Sequence, residues 1–305
     1  MYVRTEYTLP AADAGGRIAF VRDGDGFRDI YVANPDGSGL TPLTQGTEPT
    51  WSWDGGKIAF NRYDSDRDVW AIHVMDADGS NQVQLGDGGS PAWSPDGSQI
   101  AFAFGGGIWV MNADGSDRRE LVNTASPGLP DSTVRIGRPT WSPDGQRIAF
   151  QACRCTLPVP FGYRQVMIMD ADGTNVRPLS QDGWTTFSPA WSPVDADRIA
   201  VKSYDRMPSD SASFDHVIAF YSVSTGQREI RYRPHVRRLD YTHEAFDWSP
   251  GGRYIAFTQY NGYGGISRIL YMDVETGDVR PLIPDDVDAF TPPDAEQYGV
   301  AWSRN

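Results

Sequence analysis

The chain contains 305 residues and carries a formal net charge of −13, with an isoelectric point of about 4.7. This acidity argues against nucleic acid and anionic membrane surfaces as partners, because both repel a negatively charged protein. No stretch is long and apolar enough for a transmembrane helix, and residues 1–16 lack the apolar segment of a signal peptide.

One sequence pattern recurs along nearly the whole chain. Its fullest copy, residues 91–102, reads PAWSPDGSQIAF. The Trp-Ser pair of this pattern begins at Trp51, Trp93, Trp141, Trp191, Trp248 and Trp302, and the Ile-Ala step begins at Ile18, Ile58, Ile100, Ile148, Ile199 and Ile255. Successive Trp-Ser pairs lie 42 to 57 residues apart, which is the length that a four-stranded propeller blade needs.

Each repeat divides into four predicted strands, which we call A to D in chain order. Strand A carries the Trp-Ser pair, strand B carries the Ile-Ala step, strand C is the apolar segment that follows, and strand D ends the repeat. Short turns rich in Pro, Asp and Gly join A to B and C to D, since these residues favour tight turns. No segment shows a sustained helical period.

The two ends of the chain complement each other. The first repeat begins with strand B at Ile18, and residues 299–303 form a strand A that no strand B follows. We therefore predict an all-β fold, a six-bladed β-propeller of four-stranded antiparallel blades, closed by the C-terminal strand, which completes the first blade. The predicted N-terminal extension is 1–16 and the single propeller is 17–305, with blades at 298–303 plus 17–45, 48–87, 90–123, 138–181, 188–232 and 245–284.

The repeat resembles a known family. The run Trp-Ser-Pro-Asp-Gly-x-x-Ile-Ala-Phe, with Met-Asp-Ala-Asp-Gly turns such as residues 75–79, is similar to the TolB-like propeller repeat over residues 17–303. This resemblance implies a bacterial or archaeal protein, often extracytoplasmic, that binds a protein or another ligand. We expect a periplasmic or secreted location if a signal has been removed upstream, with a cytoplasmic location as the alternative. The same propeller accompanies the catalytic domain of prolyl-oligopeptidase-type enzymes, but the chain contains no Gly-x-Ser-x-Gly motif.

Two acidic turns, residues 76–81 and 170–175, look like the start of a calcium loop. An EF-hand loop needs Glu at its twelfth position and helices on both sides. Here those positions hold Asp87 and Gln181, and the flanks are predicted strands. We interpret both segments as C–D turns and predict no cofactor, with weak Ca²⁺ binding as the alternative.

A metal site in the loops is a second alternative. Three of the four histidines, His216, His235 and His243, fall in the loops of the fifth and sixth blades, near carboxylates. Imidazole and carboxylate groups are common metal ligands. A metal-assisted lyase or hydrolase is therefore kept as the enzymatic hypothesis.

The connections B–C and D–A are long and irregular, and they emerge on the face of the disc opposite the short turns. We call these two faces the long-loop face and the short-turn face. Variable loops on a rigid ring are the expected seat of function, and aromatic and Arg side chains are typical of binding surfaces. The candidate ligand-binding residues in the loops of the fourth to sixth blades are Tyr163, Trp184, Tyr204, Arg206, Arg238, Tyr241 and Tyr260.

The central channel provides a further candidate site. The residue before the Pro position of strand A is expected near the axis, and these residues are Glu48, Ser90, Arg138, Ser188, Ala245 and Gly299. Glu48 and Arg138 are one acid and one base among small residues. They could hold a small ion or polar ligand, but we favour pairing through water.

These features predict a monomeric, non-catalytic scaffold that binds a protein, peptide or glycan. A structural domain of a larger surface protein is a further alternative. The two cysteines, Cys153 and Cys155, are separated by one residue. We expect no structural bridge between them, because a ring that small is strained.

Overall fold

The computed structural model describes residues 15–24, 27–130, 135–154, 163–179, 186–206, 214–233, 246–261, 266–281 and 297–304. Among these residues, 24 β-strands form six sheets of four strands each, and no segment is α-helical. None of the described residues therefore belongs to a helix that could cross a membrane. The predicted all-β, six-bladed propeller is confirmed.

Each blade runs from inner strand A to outer strand D. Blade 1 contains β24 (Gln297–Trp302), β1 (Ile18–Gly24), β2 (Phe27–Ala33) and β3 (Thr41–Gln45), and blade 2 contains β4 (Thr47–Trp51), β5 (Lys57–Asp64), β6 (Val69–Asp76) and β7 (Val83–Asp87). Blade 3 contains β8 (Gly89–Trp93), β9 (Gln99–Phe104), β10 (Gly107–Asn112) and β11 (Arg119–Asn123), and blade 4 contains β12 (Arg135–Trp141), β13 (Arg147–Arg154), β14 (Tyr163–Asp170) and β15 (Arg177–Pro178). Blade 5 contains β16 (Thr186–Trp191), β17 (Arg198–Arg206), β18 (Phe214–Ser222) and β19 (Arg228–Tyr232), and blade 6 contains β20 (Phe246–Trp248), β21 (Tyr254–Asn261), β22 (Ile266–Asp273) and β23 (Val279–Pro281).

The C-terminal strand closes the ring as predicted. Strand β24 pairs antiparallel with β1, so that Trp302 lies opposite Ile18 and Ala301 lies opposite Ala19. The first blade is therefore built from both ends of the chain. This pairing covers the inner edge of β1, which would otherwise present unpaired backbone groups.

The hairpin registers define the two faces of the disc. In blade 2, Lys57 follows the A–B turn and lies opposite Asp76, which precedes the C–D turn. At the other end of the same strand, Asp64 lies opposite Val69 across the B–C connection. The A–B and C–D turns thus share one face, and the B–C connections lie on the other.

The Trp-Ser-x-Asp-Gly turn is stabilised by its own side chains. Ser52 Oγ accepts a hydrogen bond from the Lys57 backbone N–H at 2.9 Å and donates one to Asp54 Oδ1 at 2.5 Å. Asp54 Oδ1 also accepts from the Gly56 N–H at 3.0 Å. These bonds, above all that from Ser52, lower the pKa of the Asp54 carboxyl. The same Ser–Asp contact recurs at Ser94–Asp96 and Ser142–Asp144, which explains why the motif repeats.

The inner strands of blades 2 to 5 each contain a bulge just before their Pro. Glu48 has a φ of +50°, and the equivalent residues Ser90, Arg138 and Ser188 have φ values of +51°, +54° and +50°. The pairing register of β4 with β5 shifts across this position, between Thr47 and Thr50. A non-glycine residue with positive φ costs about 1 kcal/mol or more, so the surrounding sheet must hold this conformation in place.

The hydrophobic core lies between neighbouring blades. Trp248 of blade 6 is fully buried, its ring lies 5.1 Å from that of Phe220 in blade 5, and its Nε1–H donates to the Ala190 carbonyl at 3.0 Å. His73 is also buried and stacks on Phe60 with 5.4 Å between ring centroids. Burial lowers the pKa of His73, so it packs as a neutral ring.

The cysteine prediction is wrong. Cys153 is buried in β13 and is disulfide-bonded. The other cysteine of the chain is Cys155, which lies outside the described residues. The expectation rested on the strain of a small ring, whereas β13 extends to Arg154 and holds Cys153 within the sheet.

Candidate functional site

The bulge of β4 fixes Glu48 at the long-loop end of the central channel. Its Oε2 accepts hydrogen bonds from Asn61 Nδ2 at 2.5 Å and from the backbone N–H and Oγ–H of Ser90, both at 3.1 Å. Asn61 is buried on β5, and Ser90 is the equivalent bulge residue of blade 3. The carboxylate therefore joins the inner strands of two neighbouring blades.

Arg138 meets Glu48 across the channel. Its Nη2 lies 3.6 Å from Glu48 Oε1, although blades 2 and 4 are not neighbours in the ring. This distance leaves no room for a water molecule between the two atoms, so the pair is direct. About a third of each side chain is exposed, and a pair of this kind contributes at most about 1 kcal/mol to stability.

A cavity of about 160 Å³ occupies the channel between the inner strands. All six blades contribute to its lining, and eight of the lining residues are Pro and Trp residues of strand A. Apart from the repeated Trp residues, the polar and aromatic residues that line the cavity are Thr50, Trp53, Thr140, Asp247 and Arg304. Trp53 and Arg304 follow the ends of their inner strands, so the cavity reaches toward the short-turn face.

Asp247 is the one carboxylate that lines this cavity among the described residues. Its Oδ1 accepts from the Trp248 backbone N–H at 2.8 Å, and its Oδ2 accepts from the Trp302 N–H at 3.0 Å. Arg304 Nη2 lies 4.0 Å from Oδ1. Burial raises the pKa of Asp247, while Arg304 and the two backbone donors oppose this shift.

Arg304 is held by an aromatic ring as well as by Asp247. The centre of its guanidinium lies 4.1 Å from the ring centroid of Trp53, a cation–π contact. Burial lowers the pKa of this side chain. Its Nη1 is buried and has no hydrogen-bond partner within the described part of the chain.

Trp53, Asp247 and Arg304 were not among the residues predicted from the sequence. At the position two residues after the repeated Trp, four repeats have proline (Pro95, Pro143, Pro193 and Pro250), whereas the other two have Trp53 and Arg304. At the position before the Trp, Asp247 replaces the Thr or Ala of the other repeats. Departures from the repeat consensus were the signal that could have found these three residues.

The long-loop face carries three exposed aromatic side chains in blades 2 and 3. Tyr63, Trp70 and Phe104 are 46%, 42% and 40% exposed. Tyr63 and Trp70 flank the B–C connection of blade 2, with ring centroids 5.4 Å apart, and Phe104 precedes that of blade 3. The binding residues predicted from the sequence were all in the longer loops of blades 4 to 6, so Tyr63, Trp70 and Phe104 were not among them.

The predicted binding residues of blades 4 to 6 fall into two groups. The backbone of four lies on strands at the long-loop end of their hairpins: Tyr163 on β14, Tyr204 and Arg206 on β17, and Tyr260 on β21. The strands of these hairpins therefore extend into segments that were predicted as loops. Trp184, Arg238 and Tyr241 lie outside the described residues.

The histidines predicted as metal ligands are only partly described. The backbone of His216 lies on β18 opposite Tyr204, whereas His235 and His243 lie outside the described residues. Within the part of the chain that the structure describes, no group of three or more His, Cys, Asp or Glu side chains is arranged to hold a metal ion.

Comparison with known proteins agrees with this architecture. Residues 16–159 match the model of the TolB β-propeller domain. TolB from Acinetobacter baumannii superimposes with a TM-score of 0.71 at 19% identity, covering 95% of this chain and 67% of that one. A chain of the nidogen/laminin complex superimposes with a TM-score of 0.67 at 13% identity, covering 95% of this chain and 98% of that one. An oligogalacturonate lyase in complex with manganese superimposes with a TM-score of 0.59 at 13% identity, covering 90% of this chain and 76% of that one. No curated protein matches the sequence.

The fold and the channel define a closed six-bladed β-propeller with a polar axis. The solved structures share so little sequence with this chain that they show the fold alone. The family model matches residues 16–159, which contain three of the six repeated Trp-Ser pairs. This part of the chain is similar to the TolB β-propeller domain, and the chain as a whole folds as a six-bladed β-propeller.

Proposed function

We propose that this chain is a non-catalytic binding module whose long-loop face docks a protein or peptide, with a glycan as the alternative ligand. The observation that carries this proposal is the exposure of Tyr63, Trp70 and Phe104 together on that face. Large aromatic side chains dominate binding energy at protein interfaces because they bury much area at a small cost in side-chain entropy. The backbone of Tyr163, Tyr204 and Tyr260 lies on hairpins of blades 4 to 6 that end at the same face.

The charges around these rings favour a basic partner. Asp64, Asp66 and Asp68 lie in the connection between Tyr63 and Trp70, where Arg67 is the one basic residue. Arg67 is itself paired with Asp64 at 2.7 Å and with Asp87 at 2.8 Å. Together with the net charge of −13, this surface attracts positively charged segments and steers their encounter.

The aromatic surface is held in place before any partner arrives. The Trp70 carbonyl accepts a hydrogen bond from the Gly88 N–H at 3.0 Å, which ties the B–C connection to the D–A connection. Arg118 lies over Phe104, 5.4 Å from the ring centroid, and donates to the Asp87 carbonyl at 2.5 Å. A surface that is already ordered loses less entropy on binding.

The disulfide at Cys153 supports an extracytoplasmic location, since disulfides persist in oxidising compartments and are rare in the cytosol. This agrees with the location that the family resemblance implies. Electrophoretic analysis of thiol accessibility in cells that express the chain with a signal peptide tests the proposal. We expect blocked thiols, whereas free thiols under these conditions would contradict an oxidising location.

The binding proposal is tested with defined ligands. We would titrate the protein with a lysine- and tyrosine-containing peptide, with its glutamate-substituted counterpart and with neutral oligosaccharides, and follow binding by calorimetry. We expect the basic peptide to bind and the variants Trp70→Ala and Phe104→Ala to bind it less tightly. The variant Asn112→Ala, on the short-turn face, is the control. Preferential binding of the oligosaccharides would favour the glycan alternative.

A metal-assisted lyase is the second candidate function, and the likeness to a manganese-bound oligogalacturonate lyase favours it. Of the three histidines predicted as metal ligands, His216 has its backbone on β18, and His235 and His243 lie outside the described residues. Elemental analysis of the purified protein, followed by a lyase assay on oligogalacturonate with added Mn²⁺, separates the two functions. A stoichiometric metal and product formation would replace the binding-module proposal.

A further inference from the structure

The channel cavity has an unusual set of hydrogen-bonding groups. Trp53, Asp247 and Arg304 come from blades 2, 6 and 1, and each of them departs from the repeat. The repeat itself does not require these side chains, because proline and small residues occupy the same positions in the other blades, although Asp247 also accepts two backbone N–H groups of the inner strands. Their convergence on one cavity points to a ligand rather than to the architecture.

The cavity contains both an unused hydrogen-bond donor and unused acceptor sites. Arg304 Nη1 is a buried donor without a partner among the described residues. Asp247 receives one backbone N–H on each oxygen, and a carboxylate oxygen can accept two hydrogen bonds, so each oxygen keeps acceptor capacity. The 4.0 Å between Arg304 Nη2 and Asp247 Oδ1 is too long for a hydrogen bond, so the two groups do not satisfy each other.

The charges of the site restrict the ligand further. One guanidinium and one carboxylate make the cavity neutral, so a ligand with a net charge would bury an uncompensated charge, which is costly. A neutral ligand with separated charges meets both groups, because its carboxylate faces Arg304 and its ammonium faces Asp247. The indole of Trp53 adds an aromatic surface beside these charges.

The volume limits the ligand to a small molecule. A cavity of about 150 Å³ accommodates benzene, which has as many non-hydrogen atoms as alanine. The channel cavity is of similar size, about 160 Å³. We propose that the short-turn end of the channel binds a small zwitterionic amino acid, with the carboxylate on Arg304 and the ammonium on Asp247. This site is separate from the long-loop face, and either proposal can fail without the other.

Calorimetric titration of the full chain tests the site. Alanine is the probe, acetate and methylamine each carry one of its two charges, and tryptophan is too large for the cavity. We expect saturable binding of alanine, with acetate and methylamine at least about tenfold weaker and no binding of tryptophan. Acetate binding as tightly as alanine would overturn the zwitterion assignment, and so would the absence of binding by alanine at millimolar concentration.

Variants locate the binding. Arg304→Met is expected to weaken alanine binding about tenfold or more. Arg253→Met is the matched control, because Arg253 also pairs with an aspartate, Asp273 at 3.1 Å, and lies near a ring, that of Tyr254, but outside the cavity. Should Arg304→Met fail to fold, Thr50→Leu fills the cavity without touching Asp247 or Arg304. Unchanged alanine affinity in Thr50→Leu would then refute the site.

Discussion

Ser303 and Arg17 are 286 positions apart in the sequence and form a hydrogen-bonded pair like that of a tight turn. The Arg17 N–H donates to Ser303 Oγ at 2.5 Å, and the Ser303 N–H donates to the Arg17 carbonyl at 2.7 Å. Ser52 and Lys57 make the same two contacts within the continuous A–B turn of blade 2, both at 2.9 Å. The ring is therefore closed by an A–B turn that lacks its covalent connection.

Removing the closing strand tests the consequence of this geometry. Deleting residues 299–305 exposes the inner edge of β1 and removes Trp302 from the core, and we expect a marked loss of melting temperature. The smaller change Ser303→Ala removes one hydrogen bond to Arg17 and should cost about 1 kcal/mol. Ser52→Ala is the matched control in a continuous turn. An unchanged melting temperature after the deletion would contradict closure by β24.

Asp247 also stabilises the closure, because it accepts the Trp302 N–H. Replacing Asp247 with Ala leaves this N–H and that of Trp248 without their acceptor, and it removes the carboxylate nearest to the Arg304 guanidinium. We expect a loss of about 1–3 kcal/mol in the free energy of unfolding, because two hydrogen bonds are lost and their backbone donors are left unsatisfied. Denaturant unfolding measures it, and a loss below about 1 kcal/mol would show that the contacts are dispensable.

The raised pKa of Asp247 predicts a pH dependence of stability. A carboxyl with a higher pKa in the folded than in the unfolded state binds more protons when folded, so its contribution to stability falls as the pH rises above the ordinary value of 3.8. The difference in unfolding free energy between the native protein and Asp247→Asn should therefore shift in favour of the variant as the pH rises from about 4. Asp54 and Asp96 have lowered pKa values, so their contributions to stability are lost as the pH falls. Both residues are present in the native protein and in the variant, so their contributions cancel in the difference.

The sequence predicted the fold because each repeated residue has a local physical role. Ser52 and Asp54 hold the A–B turn, and Trp248 fills the space between two blades. The cavity cluster could not be predicted this way, since Trp53 and Arg304 come together only when the ring closes. Trp70 is exposed only because it lies at the end of a hairpin. Its place in the repeat resembles that of a core residue, so the sequence pattern alone did not single it out.

The disulfide is expected to add little stability. In the chain-entropy account, the contribution of a bridge grows with the length of the loop it closes. The chain's other cysteine, Cys155, is two positions from Cys153 in the sequence, and a bridge between such near neighbours would close a very short loop. Reduction should lower the free energy of unfolding by less than about 2 kcal/mol. Thermal unfolding with and without a reducing agent measures this, and cooperative unfolding on reduction at room temperature would contradict it.

The long-loop face of blades 4 to 6 should contribute to partner binding together with blades 2 and 3. Replacing Trp184 or Tyr204 with Ala should weaken the binding of a basic peptide by about 1–4 kcal/mol if the residues are hot spots. Asn112→Ala and Asp172→Ala, in the turns of the opposite face, serve as controls. Equal effects of all four changes would argue against a localised site.

The central claim is that partners dock on the long-loop face, and the structure of a complex with a bound peptide tests it most directly. We expect the peptide to contact Tyr63, Trp70 and Phe104 and to extend toward the hairpins of blades 4 to 6. A peptide whose contacts lie on the A–B and C–D turns alone would contradict the assignment of the binding face.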